Sequence, residues 1–159
     1  MDVRFVNPFV TSTANALKTM ANVEVTRGTP FVKGSFQALA DVSGIIGLAG
    51  EAKGAVVVSF PFGLARRIYQ AMTGDTVKEN DPGIADVVGE IANMVAGGAK
   101  GLLAELGANF RISVPSVVTG KEHSISHKSD APCLIIPFQL GSDTFWLQVS
   151  MKVNPGDNG

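Results

Sequence analysis

The chain repeats itself, and that repetition limits the folds open to it more than any other feature. Thr29-Pro30-Phe31-Val32-Lys33-Gly34 has an echo in Val114-Pro115-Ser116-Val117-Val118-Thr119-Gly120. Ile45-Ile46-Gly47-Leu48-Ala49 has another in Ile135-Ile136-Pro137-Phe138-Gln139, and both lead into hairpin patterns. The sequence therefore reads as a duplicated unit of one helix followed by three strands. Two such units predict an α+β domain: a six-stranded, largely antiparallel sheet with the two long helices packed side by side on one face. At 159 residues the chain can bury a core of that size. One domain is expected over residues 1–153, with a frayed tail over 154–159.

The second of the two helices carries the most distinctive surface. Asn80-Asp81-Pro82 supplies a polar cap residue followed by proline at the first helical position. Apolar residues then recur at Ile84, Val88, Ile91, Val95, Leu102 and Leu106. At about 100° per residue these fall on one narrow stripe. The opposite stripe holds Asp86, Glu90, Asn93, Gly97, Lys100, Gly101 and Ala104. Two carboxylates and an amide thus stand along an outward ridge, followed by residues with almost no side chain. Each interior glycine costs a helix roughly 0.5–1 kcal/mol relative to alanine. This helix carries Gly89, Gly97, Gly98 and Gly101, and Gly97 and Gly101 lie on the solvent side, where they add nothing to a core. Either the face is an ordinary solvated one with incidental glycines, or it is a bare surface beside Glu90 and Asn93 that admits another macromolecule's backbone.

The remaining elements follow from periodicity and punctuation. The first helix is expected to start at Asn7-Pro8, with Val10, Ala14, Leu17 and Ala21 on its buried side. A strand is expected through Val23 and Val25 to Phe31-Val32, ending near Gly34. Residues 42–49 and 54–60 read as two strands joined at Gly50-Glu51-Ala52-Lys53, with Val56-Val57-Val58 central. A short helix over 62–73 spaces Leu64, Ile68 and Met72 four apart and stops at Gly74. After the long helix, 110–118 reads as a strand ended by Gly120 and 119–131 as a polar loop. Residues 134–140 and 145–152 form a closing hairpin around 141–144.

Composition narrows the function classes. Charged residues make up 17% and apolar ones 45%, as in a globular chain. A net charge of −1 with no run of Lys or Arg argues against nucleic acid or an anionic membrane surface as partner. No apolar run approaches the length of a membrane span, and Met1-Asp2-Val3-Arg4 does not begin a signal peptide. The single Cys133 permits no internal disulfide and suits a reducing compartment, so a cytoplasmic protein is expected. His123, His127 and Cys133 share no fixed helical face, and no metal site is expected of them; the histidines read as exposed loop residues. Arg66-Arg67 reads as a solvated pair, and Trp146 as a core or interface side chain.

Glu90-Ile91-Ala92-Asn93-Met94-Val95-Ala96-Gly97-Gly98-Ala99-Lys100, running into Ile112-Ser113-Val114-Pro115 and Gly120, resembles the CheC/CheX group of bacterial chemotaxis phosphatases. That group's signature is Asp or Ser, three residues, Glu, two residues, Asn; here it is Asp86, Glu90 and Asn93. Pro61 through Met72 and Gly74 are similar to the group's short helix, and the likeness runs from about Val6 to Lys152. Relatives carry the signature on one or both long helices. The first helix here has neither residue in register, and Ser12 stands three positions before Asn15 where a Glu would be needed. The chain therefore looks like the single-site CheX branch.

The resemblance implies a function. The group's substrate is a response-regulator receiver domain, typically CheY, phosphorylated on an aspartate. By that likeness Glu90 pairs with a receiver lysine and Asn93 orients the attacking water, while Asp86, Gly97, Lys100 and Gly101 meet the partner. No cofactor is implied for this chain, since Mg2+ is expected in the receiver; a homodimer joined through sheet edges is implied likewise. The alternative is a non-catalytic adaptor that binds a response regulator or a flagellar switch component, and a structural dimerisation module is a third reading. Flagellar switch proteins are similar in fold but lack the catalytic pair, so the intact Glu90 and Asn93 favour the enzyme.

Overall fold

The computed structural model describes residues 3–32, 40–78, 81–126 and 131–154. The chain runs α1 (Val3–Ala21), β1 (Thr26–Arg27), β2 (Phe31–Val32), β3 (Ala40–Gly50), β4 (Ala52–Phe60) and α2 (Phe62–Thr73). It continues through α3 (Pro82–Glu105), β5 (Phe110–Ile112), β6 (Ser116–His123), β7 (Cys133–Leu140) and β8 (Asp143–Val153). The fold is α+β with one antiparallel sheet, in the order β1-β7-β8-β4-β3-β5, where β2 also pairs with β7 and β6 with β3. The expected six strands are therefore eight, because each outer rank of the sheet is broken in two.

Both breaks have the same cause. Between the pairs Arg27↔Phe138 and Phe31↔Ile135 the edge chain has three residues, 28–30, against two, 136–137. Between Ile112↔Leu48 and Ser116↔Ile45 it again has three, 113–115, against two, 46–47. The extra residue makes a bulge, and each bulge contains a proline, Pro30 or Pro115, with no N–H to give the ladder. The halves thus correspond in topology: a helix, a broken outer rank and a hairpin, with β4 and β8 paired between them. Each outer rank lies on the other half's hairpin, so neither half completes its own sheet.

Several boundaries differ from the sequence expectation. Val23 and Val25 lie in the connection ahead of β1, and Gly120 lies inside β6, which extends to His123. The hairpin turns are tighter: Glu51 alone separates β3 from β4, and Gly141-Ser142 separates β7 from β8. Pro8 sits inside α1 and does not start it, and the buried side is Val6, Pro8, Phe9, Ser12, Thr13, Ala16, Leu17 and Ala21. Val10 and Ala14 are only half-buried. The expected strand end at Gly34, the cap contribution of Asn80, the histidine His127 and the tail beyond Asn154 lie outside the described residues.

Strand alternation divides the sheet into two faces. Val42, Ile46 and Leu48 of β3, Val56, Val58 and Phe60 of β4, and Phe145, Leu147, Val149 and Met151 of β8 join the helices in one core. Phe138, Phe145 and Phe60 stack in a row there, with centroids 5.1 and 4.9 Å apart. Ser43, Ser59, Gln148 and Ser150, at the alternate positions, are also buried. Between the halves, α2 ends where the sequence puts it, on Gly74 in the left-handed conformation with its N–H on the Gln70 carbonyl. Its start lacks a capping side chain of its own, and Asp41 of β3 substitutes: Oδ2 accepts from the Phe62 N–H at 2.8 Å, and Oδ1 from the Glu122 N–H at 2.8 Å. No helix among the described residues is long and apolar enough to cross a membrane.

Candidate active site

The long helix α3 begins as its sequence dictates. Asp81 accepts the Gly83 N–H at 2.8 Å and Pro82 occupies the first turn. Ile84, Val88, Ile91 and Val95 are buried. Ala92 is buried beside them, and beyond them the buried side continues through Ala96, Ala99 and Leu103, while Leu102 is half-buried and Leu106, past the helix end, is 50% exposed. The second half of the helix thus packs on alanines, which let neighbouring elements come close.

Three contacts with small residues hold α3 in place. At Gly44 of β3 an added Cβ would stand 2.8 Å from the Ala92 Cβ and 3.0 Å from the Val88 carbonyl, so the helix rests directly on strand backbone. At Gly89 it would stand 3.3 Å from Val117 Cγ2 and 3.9 Å from Pro115 Cγ, so the proline bulge of the sheet edge supports the helix just before Glu90. At Gly98 it would fall on Ser12 Oγ of α1. That hydroxyl donates across the helix pair to the Val95 carbonyl at 2.8 Å, with Met94 O at 3.3 Å. Gly89 and Gly98 therefore have packing reasons. Gly97 and Gly101 have none, since an added Cβ would meet nothing within 4 Å at either position.

The ridge is where the period places it. Asp86, Glu90, Asn93, Gly97, Lys100, Gly101 and Ala104 are all exposed. Glu90 and Asn93 are helix neighbours three apart, with Cβ atoms about 5–6 Å from each other. Asp86 is one turn before Glu90, and Gly97 and Gly101 are one and two turns beyond Asn93. This surface is an open helix edge and not a cleft, so it cannot enclose a small substrate as ligand pockets do. Any chemistry done here acts on a group that another macromolecule brings with its own pocket.

The other candidates resolve structurally. His123 is no exposed loop residue: it lies half-buried in β6, with Nε2 2.7 Å from Ser43 Oγ and Nδ1 2.6 Å from the Gly120 carbonyl. Ser43 in turn bonds Ser59 at 2.7 Å. Cys133 is buried at the start of β7. Arg67 pairs with Asp143, and Arg66 Nε donates to the Val77 carbonyl at 3.0 Å. Among the described residues no group of three or more His, Cys, Asp or Glu could hold a metal ion. Sequence reading missed Ser12 as the link between the helices; its only signal is a hydroxyl within the buried side of α1.

The structure thus sets the helix pair α1 and α3 on a bulge-edged antiparallel sheet, with Glu90 and Asn93 exposed three apart on a bare helix edge. The family profile described as chemotaxis phosphatase CheX matches residues 42–139. The chain belongs to this CheX family. The CheY-P phosphatase CheX of Thermotoga maritima is 29% identical over 154 residues, covering 96% of this chain and 98% of that protein. The chemotaxis protein CheX of Vibrio vulnificus matches with a TM-score of 0.89 at 41% identity, covering 93% of this chain and 99% of its own. A CheX from Borrelia burgdorferi, solved as a complex with CheY, BeF3 and Mg2+, matches with a TM-score of 0.79 at 24% identity, covering 93% and 97%. At that identity the last likeness speaks for the fold alone.

Proposed function

We propose that this chain hydrolyses the aspartyl phosphate of a CheY-like response-regulator receiver, with α3 as the docking helix. The observation that carries the reading is the exposed pair Glu90 and Asn93 beside Gly97 and Gly101, glycines with no packing role. Membership of the CheX family and the activity in the name of the Thermotoga relative support the choice of substrate.

An acyl phosphate already carries a good leaving group. Water attacks phosphorus as the bond to the receiver's aspartate oxygen breaks; the carboxylate departs with the electron pair, and the water's proton ends on phosphate. The catalyst mainly has to hold that water in line. Asn93 suits the task because its amide offers an acceptor and donors without adding negative charge beside the phosphoryl oxygens. Glu90 pairs with a receiver lysine and sets the docking register. Asp86 and Lys100 flank the contact, and Gly97 and Gly101 let the receiver's loops approach. Mg2+, which neutralises phosphoryl charge, belongs to the receiver.

Glu90→Ala is expected to weaken binding of a receiver carrying a stable phosphoryl mimic by about 1.5–3 kcal/mol, roughly ten- to a hundredfold in Kd. Isothermal titration reads this directly, and an unchanged Kd removes the docking role. A homodimer through the sheet margins, where Val32 and Val114 are 66% and 85% exposed, is proposed on the resemblance. Sedimentation equilibrium should return twice the 16.6 kDa chain mass; a monomer at all concentrations ends that proposal.

A further inference from the structure

The geometry points to the groove between α1 and α3 as a second contact of the same docking surface, one that receives a short uncharged segment of the receiver. This rests on the function proposed above. The groove measures about 300 Å³, and among its lining residues are Asn15, Ala16 and Thr19 on α1 and Met94, Gly98 and Leu102 on α3. That is about ten times a water's share of liquid volume, so it admits side chains.

Its position follows from the helix. Met94, Gly98 and Leu102 each come one residue after Asn93, Gly97 and Gly101, which puts the groove wall about 100° around α3 from the ridge. The groove is open because position 98 has no side chain and because Ser12 is drawn down to the Val95 carbonyl. A partner whose backbone settles on Gly97 and Gly101 must extend across it.

Its chemistry selects what enters. Met94, Leu102 and Ala16 are apolar; Asn15 and Thr19 are neutral and polar; no charged side chain lines it among the described residues. The Ser12 proton is already used on α3. A charged group entering here loses hydration and finds no counter-charge, which is strongly unfavourable. An apolar side chain fits between Met94 and Leu102, where the thioether adapts to its shape, while the Asn15 amide meets the backbone polar groups of the segment that carries it.

Asn15 and Thr19 are exposed, so Asn15→Arg and Thr19→Arg leave the fold intact and lay a long cation over the groove. With the full chain and a phosphorylated receiver, either variant should raise Kd and KM about tenfold or more, keep kcat at saturating receiver, and keep the melting temperature. Wild-type affinity in both Arg variants, with an active wild-type protein, overturns the groove and leaves the phosphatase reading standing. Loss of self-association with receiver affinity intact makes the groove a contact between copies and overturns it as well. A wild-type protein that neither binds nor dephosphorylates receivers overturns both readings together.

Discussion

Asn93→Ala should slow single-turnover decay of a phosphorylated receiver by roughly 10²–10³, the usual cost of removing one group positioned for a transition state, while the receiver still binds. Asn93 is exposed on a helix that is fixed elsewhere, at Gly44, Gly89 and Gly98, so truncation leaves the scaffold unchanged. Its amide is assigned to water alignment and not to docking, so kcat and kcat/KM should fall together. Rapid-mixing measurement of phosphate release, with binding measured in parallel, separates these effects. A variant with full activity would remove Asn93 from the chemistry. A variant that fails only by losing affinity would make it a docking residue.

Two adjacent glycines should respond with opposite signs. Gly97→Gln places a side chain in open space on an exposed turn, so helix propensity alone should stabilise the protein by about 0.5 kcal/mol. The same side chain stands where the receiver's backbone comes down, and affinity should fall about tenfold or more, at least ~1.4 kcal/mol. Gly98→Ala should do the reverse to stability. Its methyl falls on Ser12 Oγ, the hydroxyl has to leave the Val95 carbonyl, and overpacking with a broken bond costs roughly 1–3 kcal/mol, against the roughly 0.5–1 kcal/mol that alanine gains over glycine in a helix. Thermal unfolding and receiver titration of both variants give the four numbers needed. Wild-type affinity in Gly97→Gln would make the bare edge incidental.

That contrast also marks how far the sequence could be read. The outward side of α3 was legible because a period of 3.6 decides which residues face water, and Glu90 and Asn93 are exposed accordingly. Gly97 was legible as a solvent-facing position, but the packing role of Gly98 was not, because it is made by Ser12, whose bond to Val95 spans 83 positions. The limits of α2 were legible because a left-handed glycine cap is a local event. Pro8 misled for the complementary reason: proline looks alike at a helix start and in its second turn, and burial of Val6 and Phe9 extends α1 back to Val3 despite the missing N–H. The outer ranks read as unbroken strands because a bulge is defined only by register against a distant partner, β7 for residues 28–30 and β3 for 113–115. Leu106 matched the apolar stripe but follows the last helical residue, Glu105, where the stripe's direction no longer holds.

The most direct measurement follows phosphate release from a labelled CheY-like receiver with and without substoichiometric amounts of this protein. Release that accelerates in proportion to protein, with each molecule turning over many receivers, is the predicted result. Release at the receiver's own rate, in a mixture where the two proteins demonstrably bind, contradicts the proposed hydrolysis and leaves the ridge as a docking surface without chemistry.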